Sequence, residues 1–267
     1  MPSSHKQLAI VGTDTAIGAA LARSMADAGF DIAESAADSR LVLYCHDAAL
    51  DAEGHVSALD ALCRSLAATH TSNRQVRVCV FTPANACGES PRVIRETTPL
   101  LPRCRRDFAY AQAEMLLHAW YGMSHTAILP TVFRHGELYC APDAKIPLAG
   151  HVNACIRKAQ SGQPLTMPGL GIQKRTLTHL DDFADAVASI LSNDFPPSIV
   201  NIPGETMAIA DYTNDICDRY GVEPVLGKYP FDDDLPWGIG DRVLSAALFR
   251  SESTFRPKRS FKLGIRN

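Results

Sequence analysis

Between an apolar run, Leu8-Ala9-Ile10-Val11, and a helical stretch opening at Ala16 lies the segment Gly12-Thr13-Asp14-Thr15-Ala16-Ile17-Gly18. Glycines at both ends of a strand-to-helix turn suit phosphate binding. The first permits a tight turn and the last lets helix and strand approach closely. The helix start offers N–H groups and the positive end of its dipole. Thr15 stands where a middle glycine would let backbone meet pyrophosphate, and its hydroxyl offers a bond to a phosphate oxygen. Asp14 brings negative charge to the same spot. The segment also reads as a plain strand–helix turn that holds no ligand. Glu34 follows a second short strand, 30–33, about where an acidic residue holds an adenosine ribose. Only Ser35 to Arg40 then separate it from the next strand, Leu41 to Cys45. A full dinucleotide fold spends a helix and a strand there, so the adenine pocket is expected to be open or missing.

Other chemically capable groups are weaker. Cys45-His46-Asp47 offers a thiol beside an imidazole, but neighbours on a strand point to opposite faces, which favours a structural reading. Gly122-Met123-Ser124-His125-Thr126 has a helix before it and a strand after, the reverse of a nucleophile elbow. Cys87 is expected at a cleft, with no base assigned to it. His135 and His179 read as packed or hydrogen-bonded loop residues. The eight cysteines form no C-x-x-C pair and no zinc spacing, so they read as reduced thiols of a cytoplasmic protein without a metal.

Charge excludes some partners. Lys and Arg total 26 against 29 Asp and Glu, for a net charge of -3. That gives no pull toward nucleic acid or anionic membranes. The basic runs 103–106 and 256–259 read as solvated surface. No apolar run reaches membrane-span length, and the first residues do not read as a secretion signal.

The elements that position these groups follow from periodicity. With 46% hydrophobic residues in 267, the chain can bury a substantial core. Helical spacing appears over 16–28 (Ile17, Leu21, Met25), over the second helix (Val56, Leu59, Leu62, Cys63, Leu66) and over 105–121. Strands are expected at 76–81 and at 126–129, the latter ended by Pro130. Later helices are expected near 148–160, 180–192, 207–220 and 241–249, with short strands at 165–167, 175–178 and 199–201. The acidic, Pro-bounded loop 229–236 reads as surface. Alternating strands and helices predict an α/β fold: a doubly wound parallel sheet, shortened around strands 2–3, with a small C-terminal lobe. The expected division is a sheet domain at 1–130 and lobe segments at 131–267, interleaved with the last sheet strands.

Several segments together resemble the extended short-chain dehydrogenase/reductases, the NAD-dependent epimerase/dehydratase family with its nucleotide-sugar enzymes. They are Gly12 to Leu21, Leu41 to Ala48, Val78 to Ser90, Gly169 to Ala186 and the tail from Phe255 to Arg266. Gly169 to Ala186 (GLGIQKRTLTHLDDFADA) is similar to the family's Gly-x-Gly-x-x-x-Arg stretch, followed by a strand, His-Val-x-Asp and a helix. The resemblance implies a Rossmann-like fold with NAD or NADP held at Gly12, Thr15, Gly18 and Glu34. It implies a nucleotide-sugar ligand with its diphosphate on Arg175, although Arg175 reads equally as a partner of Asp181 or Asp182. It also implies a homodimer paired through the helices carrying Val56–Leu66 and Phe108–Trp120.

The family's working pair is missing. No Tyr-x-x-x-Lys occurs in the chain. Counting back from Glu114, the two positions fall on Arg106 and Tyr110. Arginine supplies charge but does not exchange protons near neutrality. Tyr110 offers a proton one helical turn further on. Pro83 replaces the family's Ser or Thr, with Thr82 beside it, and Pro130, Thr131 and Phe133 replace its Arg-Pro-x-Asn. Three readings follow. One is a non-redox enzyme or ligand binder on an inherited scaffold. Another is an active NAD(P)-dependent enzyme using Tyr110 and Thr82. The third is a regulatory partner of an active relative.

Overall fold

The computed structural model describes residues 7–45, 52–88, 93–125, 127–141, 148, 150–227 and 240–265. The chain runs β1 (Gln7–Val11), α1 (Ala16–Asp27), β2 (Asp31–Ile32), β3 (Leu41–Tyr44), α2 (Ala52–Thr69), β4 (Val76–Pro83), α3 (Arg105–Met123) and β5 (Ile128–His135). It continues through β6 (Glu137–Tyr139), α4 (His151–Gln160), β7 (Leu165–Pro168), β8 (Lys174–His179), α5 (Leu180–Leu191) and β9 (Ile199–Asn201). Last come β10 (Glu205–Ala208), α6 (Ile209–Tyr220), β11 (Pro224–Gly227), α7 (Ala247–Glu252) and α8 (Phe261–Gly264).

The main sheet has the order β2-β1-β3-β4-β5-β9, every pair parallel. Its strands are apolar on both faces, as a sheet covered on both sides requires. Leu8, Leu43, Cys79, Phe81 and Phe133 point to one face, under α1 and α5. Ala9, Val42, Tyr44, Val78, Val80 and Val132 point to the other, under α2 and α3. The fold is therefore the Rossmann-like α/β architecture. Between β2 and β3 a single 3-10 turn, Ala36–Asp38, stands in place of a helix and strand. Ser35 Oγ accepts from the Ala37 N–H, and Ser39 Oγ donates to the Ser35 carbonyl.

Two expectations need correction. Pro130 does not end a strand; it lies inside β5, opposite Val78 of β4. Val132 N donates toward β9, to the Ser198 carbonyl at 2.8 Å. Pro130 shares that parity, but β9 begins only opposite Val132, so its missing N–H costs no ladder bond. The helix expected at 241–249 is displaced to 247–252, because the residues before it are drawn into bridges. Arg242 bridges Arg175 and Leu244 bridges Ile94, a non-local pairing that overrides local preference.

The lobe places β8 between antiparallel β10 and parallel β6, with β7 and β11 paired separately. Val152 and Ile156 of α4 and Ile209, Tyr212 and Ile216 of α6 close over Leu165 and Leu177. Residue 130 lies within β5, and α5 and β9 return to the main sheet. Asp182, 1% exposed, anchors the tail. Its Oδ2 accepts from the Lys258 and Arg259 N–H groups at 2.9 Å each, and its Oδ1 from Arg259 Nη1 at 2.7 Å. Glu205 accepts from Phe261 N at 2.8 Å. Among the described residues no helix is long and apolar enough to cross a membrane.

Candidate functional site

The crevice of this fold lies beyond the carboxyl ends of the sheet strands. β1 delivers the glycine turn there, and each glycine is forced by its surroundings. Gly12 has φ +87°, and a Cβ on it would stand 2.6 Å from the Cys45 carbonyl oxygen. A Cβ on Gly18 would stand 2.0 Å from the Gly12 carbonyl oxygen. Both glycines thus serve packing within the turn. Thr15 is the N-cap of α1: its hydroxyl donates to Gly12 O at 2.7 Å and accepts from Gly18 N at 3.0 Å. The hydroxyl expected to meet a phosphate is engaged with its own backbone instead. The N–H groups of Ala16 and Ile17 remain to face an anion. Glu34 is exposed, beside the 3-10 turn that replaces the missing helix and strand. These residues fit a single phosphate at the start of α1. They do not fit the close backbone approach that a pyrophosphate makes to a middle glycine.

Tyr110, on α3, packs edge-on against His55 at 5.5 Å, and His55 stacks on Tyr44 at 5.4 Å. Tyr44 Oη donates to the His55 carbonyl at 2.9 Å. Burial pushes the Tyr110 phenol above its ordinary pKa, and the charge of Arg106 opposes this without overcoming it. Arg106 is largely exposed and stands 3.9 Å from Asp107. Thr82 is 1% exposed in β4, in register with Arg134.

Arg175 lies in β8, where it bridges Arg242. Its Nη1 donates to the Lys174 and Gly240 carbonyls at 2.8 Å each, and only 3% of it is exposed. Burial, then the neighbouring charge of Arg242, lowers its pKa. Asp181 and Asp182 instead face Arg259, and Asp181 also faces Arg23. Arg175 therefore holds segment 240–242 against β8.

The remaining expectations resolve individually. Cys87 is buried, and burial pushes its thiol up to about 11. His135 is buried, its pKa lowered to about 4 by burial, with Nδ1 2.7 Å from the Gly136 carbonyl. His179 caps α5, its Nδ1 accepting from Asp181 N at 3.2 Å. Both histidines are packed or hydrogen-bonded, as expected. Ser124 accepts from Ile128 N in the α3–β5 turn, where His125 has φ +50°. Cys45 is buried, while His46, Asp47, Thr126, loop 229–236 and Arg266 lie outside the described residues.

Two groups escaped the sequence reading. Arg134 and Glu114, each 3% exposed, form a buried ion pair with contacts of 2.6 and 3.3 Å. Arg134 Nη1 also donates to the carbonyls of Arg95, Glu96 and Thr98. A lone arginine inside an apolar strand was the available signal. The other is Glu137, which opens β6 immediately past the carboxyl end of β5. Burial raises its pKa against the charges of Arg175, Arg242 and Arg106 and against a hydrogen bond from the His151 backbone N–H. Nearby, His151 Nε2 lies 3.0 Å from Cys155 Sγ and its Nδ1 lies 3.2 Å from Tyr212 Oη.

The fold is that of the extended short-chain dehydrogenase/reductase class. More narrowly, the NAD dependent epimerase/dehydratase family matches residues 12–203, and the chain belongs to that family. No curated protein matches the chain. Solved structures similar in fold include the dTDP-glucose 4,6-dehydratase of Bacillus anthracis in complex with NAD, at TM-score 0.75 and 14% identity, covering 97% of this chain and 93% of that one. The NAD-dependent NDP-hexosamine 5,6-dehydratase TunA, involved in tunicamycin biosynthesis, has TM-score 0.76 and 20% identity, covering 98% and 95%. The UDP-glucuronic acid 4-epimerase of Bacillus cereus, in complex with UDP-glucuronic acid and NAD, has TM-score 0.74 and 15% identity, covering 97% and 96%. At these identities the likeness concerns the fold alone.

Proposed function

We propose that this chain uses the family crevice to bind a nucleotide-sugar-like ligand and act on it by non-redox acid–base chemistry, without Tyr/Lys hydride transfer. The observation that carries this reading is Tyr110. It is the tyrosine nearest the expected position, and burial against His55 raises its pKa with no lysine to lower it. The engaged Thr15 hydroxyl and the shortened β2–β3 link support weak dinucleotide retention. The eight free cysteines suit a reducing cytoplasm.

The test is a fluorescence titration with NADH, followed by turnover assays with UDP-glucose and UDP-glucuronic acid. The expected result is weak NADH binding, measurable nucleotide-sugar binding and no hydride turnover. Tight NADH binding with turnover overturns the reading. It would favour an active NAD(P)-dependent enzyme, for which the open N–H groups at Ala16 and Ile17 are the supporting feature. In that case Tyr110→Phe should abolish turnover.

We also infer a homodimer, or pairing with an active relative, through α3. Phe108, Met115 and Met123 lie exposed along that helix, while Leu59, Cys63 and Leu66 of α2 are spent on the sheet. A monomeric mass in light scattering, with no relative co-purifying, removes this inference.

A further inference from the structure

We propose that the cavity at the start of α5 is a binding site apart from the crevice, for an uncharged molecule bearing several hydroxyls.

The cavity is made by the way the tail returns to the lobe. Asp182 draws the Lys258 and Arg259 N–H groups onto the first turn of α5. A hollow of about 370 Å³ remains between residues 257–260, the end of β8 and the start of β10. Two glycines let its walls close. A Cβ on Gly204 would lie 2.4 Å from the Leu177 carbonyl oxygen, and one on Gly264 would lie 3.0 Å from His179 Cδ2. The volume lies within the range of small-molecule sites. The lining shares no residue with the glycine turn, Tyr110, Thr82 or Arg175.

His179 is the group that a packing role leaves unexplained. It is 6% exposed and lines the cavity. Its Nδ1 accepts from Asp181 N at 3.2 Å, so the proton of the ring sits on Nε2. Tyr139 packs edge-on at 5.2 Å and fixes the ring. Among the described residues no acceptor meets Nε2, although buried N–H groups are nearly always paired. Capping α5 needs only one ring nitrogen, which a serine or aspartate oxygen would replace. Ser260 adds a second donor to the lining, because it opens α8 with no side-chain cap bond.

The wall's charges decide what those donors can meet. Lys258 faces Asp185 at 2.9 Å, and Arg259 faces Asp182 at 2.7 Å and Asp181 at 3.4 Å. Both Asp182 oxygens are taken by the tail. Glu205 accepts from Phe261 N through Oε2, which leaves Oε1 as an acceptor. An anion would be opposed by Asp182 and Glu205, and a cation by Lys258 and Arg259. An uncharged ligand meets neither opposition. Hydroxyls both donate and accept, so they match His179 Nε2, Ser260 Oγ and Glu205 Oε1 together. The carbon skeleton between hydroxyls suits the apolar part of the wall, Leu177, Pro257 and Leu263.

The experiment follows the histidine rings by nitrogen-15 NMR, with glucose as the probe and acetate and phosphate as charged comparisons. The His179 signal is assigned by its loss in His179→Ser, which keeps a hydroxyl to cap α5 and removes the Nε2 donor. His179 should show its proton on Nε2, shift with glucose and stay still with either anion. H179S and Ser260→Ala should each weaken glucose binding about fivefold, the effect of one neutral hydrogen bond. S260A should melt with the wild type, since its hydroxyl caps nothing. UDP-glucuronic acid should bind both variants as it binds wild-type protein. The proposal is overturned by a His179 ring protonated on Nδ1, by a response to the anions in place of glucose, or by no response at His179. Glucose affinity unchanged in S260A and H179S overturns it as well. Loss of UDP-glucuronic acid binding in S260A would make the cavity part of the crevice and overturn the separation.

Discussion

Replacing Glu114 with alanine should be among the most damaging single changes to this protein. Its carboxylate faces Arg134 through contacts of 2.6 and 3.3 Å, with 3% of either side chain exposed. Removing one member of a buried pair strands the other charge, at a cost of about 3–5 kcal/mol. Unfolding entropy runs at about 2.1 cal/mol/K per residue, so for 267 residues it is about 560 cal/mol/K. Dividing one by the other gives a fall in Tm of roughly 5–9 °C. Differential scanning calorimetry of wild type, E114A, R134M and the double variant makes the check. The double variant should lose less than the sum of the singles, because no stranded charge remains. It should not recover fully, since Arg134 also donates to three carbonyls of the 95–98 loop. A fall of under about 2 °C in E114A, or strict additivity, would refute the reasoning that the pair is tightly desolvated.

Asp182→Asn should loosen the tail, because one carboxylate holds two backbone N–H groups and the Arg259 guanidinium. Native-state trypsin cleavage after Lys258 or Arg259 should quicken about tenfold, and an unchanged rate would show that the tail is fixed elsewhere. Of the eight thiols only Cys104 is not buried, and burial pushes Cys63 and Cys79 up to about 12. A thiol-reactive dye at neutral pH should label Cys104 first, and Cys104→Ser should abolish that phase; a fast phase persisting in the variant contradicts the packing described.

The main sheet was legible because its strands are short apolar runs closed by turn residues, and β1, β3, β4 and β9 fell where those runs lie. Pro130 misled because its cost depends on which flank of β5 its nitrogen faces, and one strand's sequence does not contain that information. The helix expected at 241–249 failed because Arg242 and Leu244 pair with strands far away in the chain. At the site, the glycine turn was found but the Thr15 hydroxyl was assigned outward. Capping competes with ligand binding for the same oxygen, and only the backbone geometry of Gly12 and Gly18 settles the contest. Glu137 carries no motif or period; its meaning comes from arginines at 106, 175 and 242, which only the fold brings together. Arg175 was located as a special arginine, but its guanidinium is occupied by two carbonyls.

The flanks of the main sheet have a consequence for behaviour in a crowded cell. Its outermost members, β2 and β9, are two and three residues long. Neither presents enough free amide groups in a row for another molecule to add a strand, and Asp31 places a charge on the β2 flank. Through the main sheet, copies of this protein therefore have little means of recruiting one another into fibres, even though every internal strand of that sheet is apolar enough to do so if it were bared.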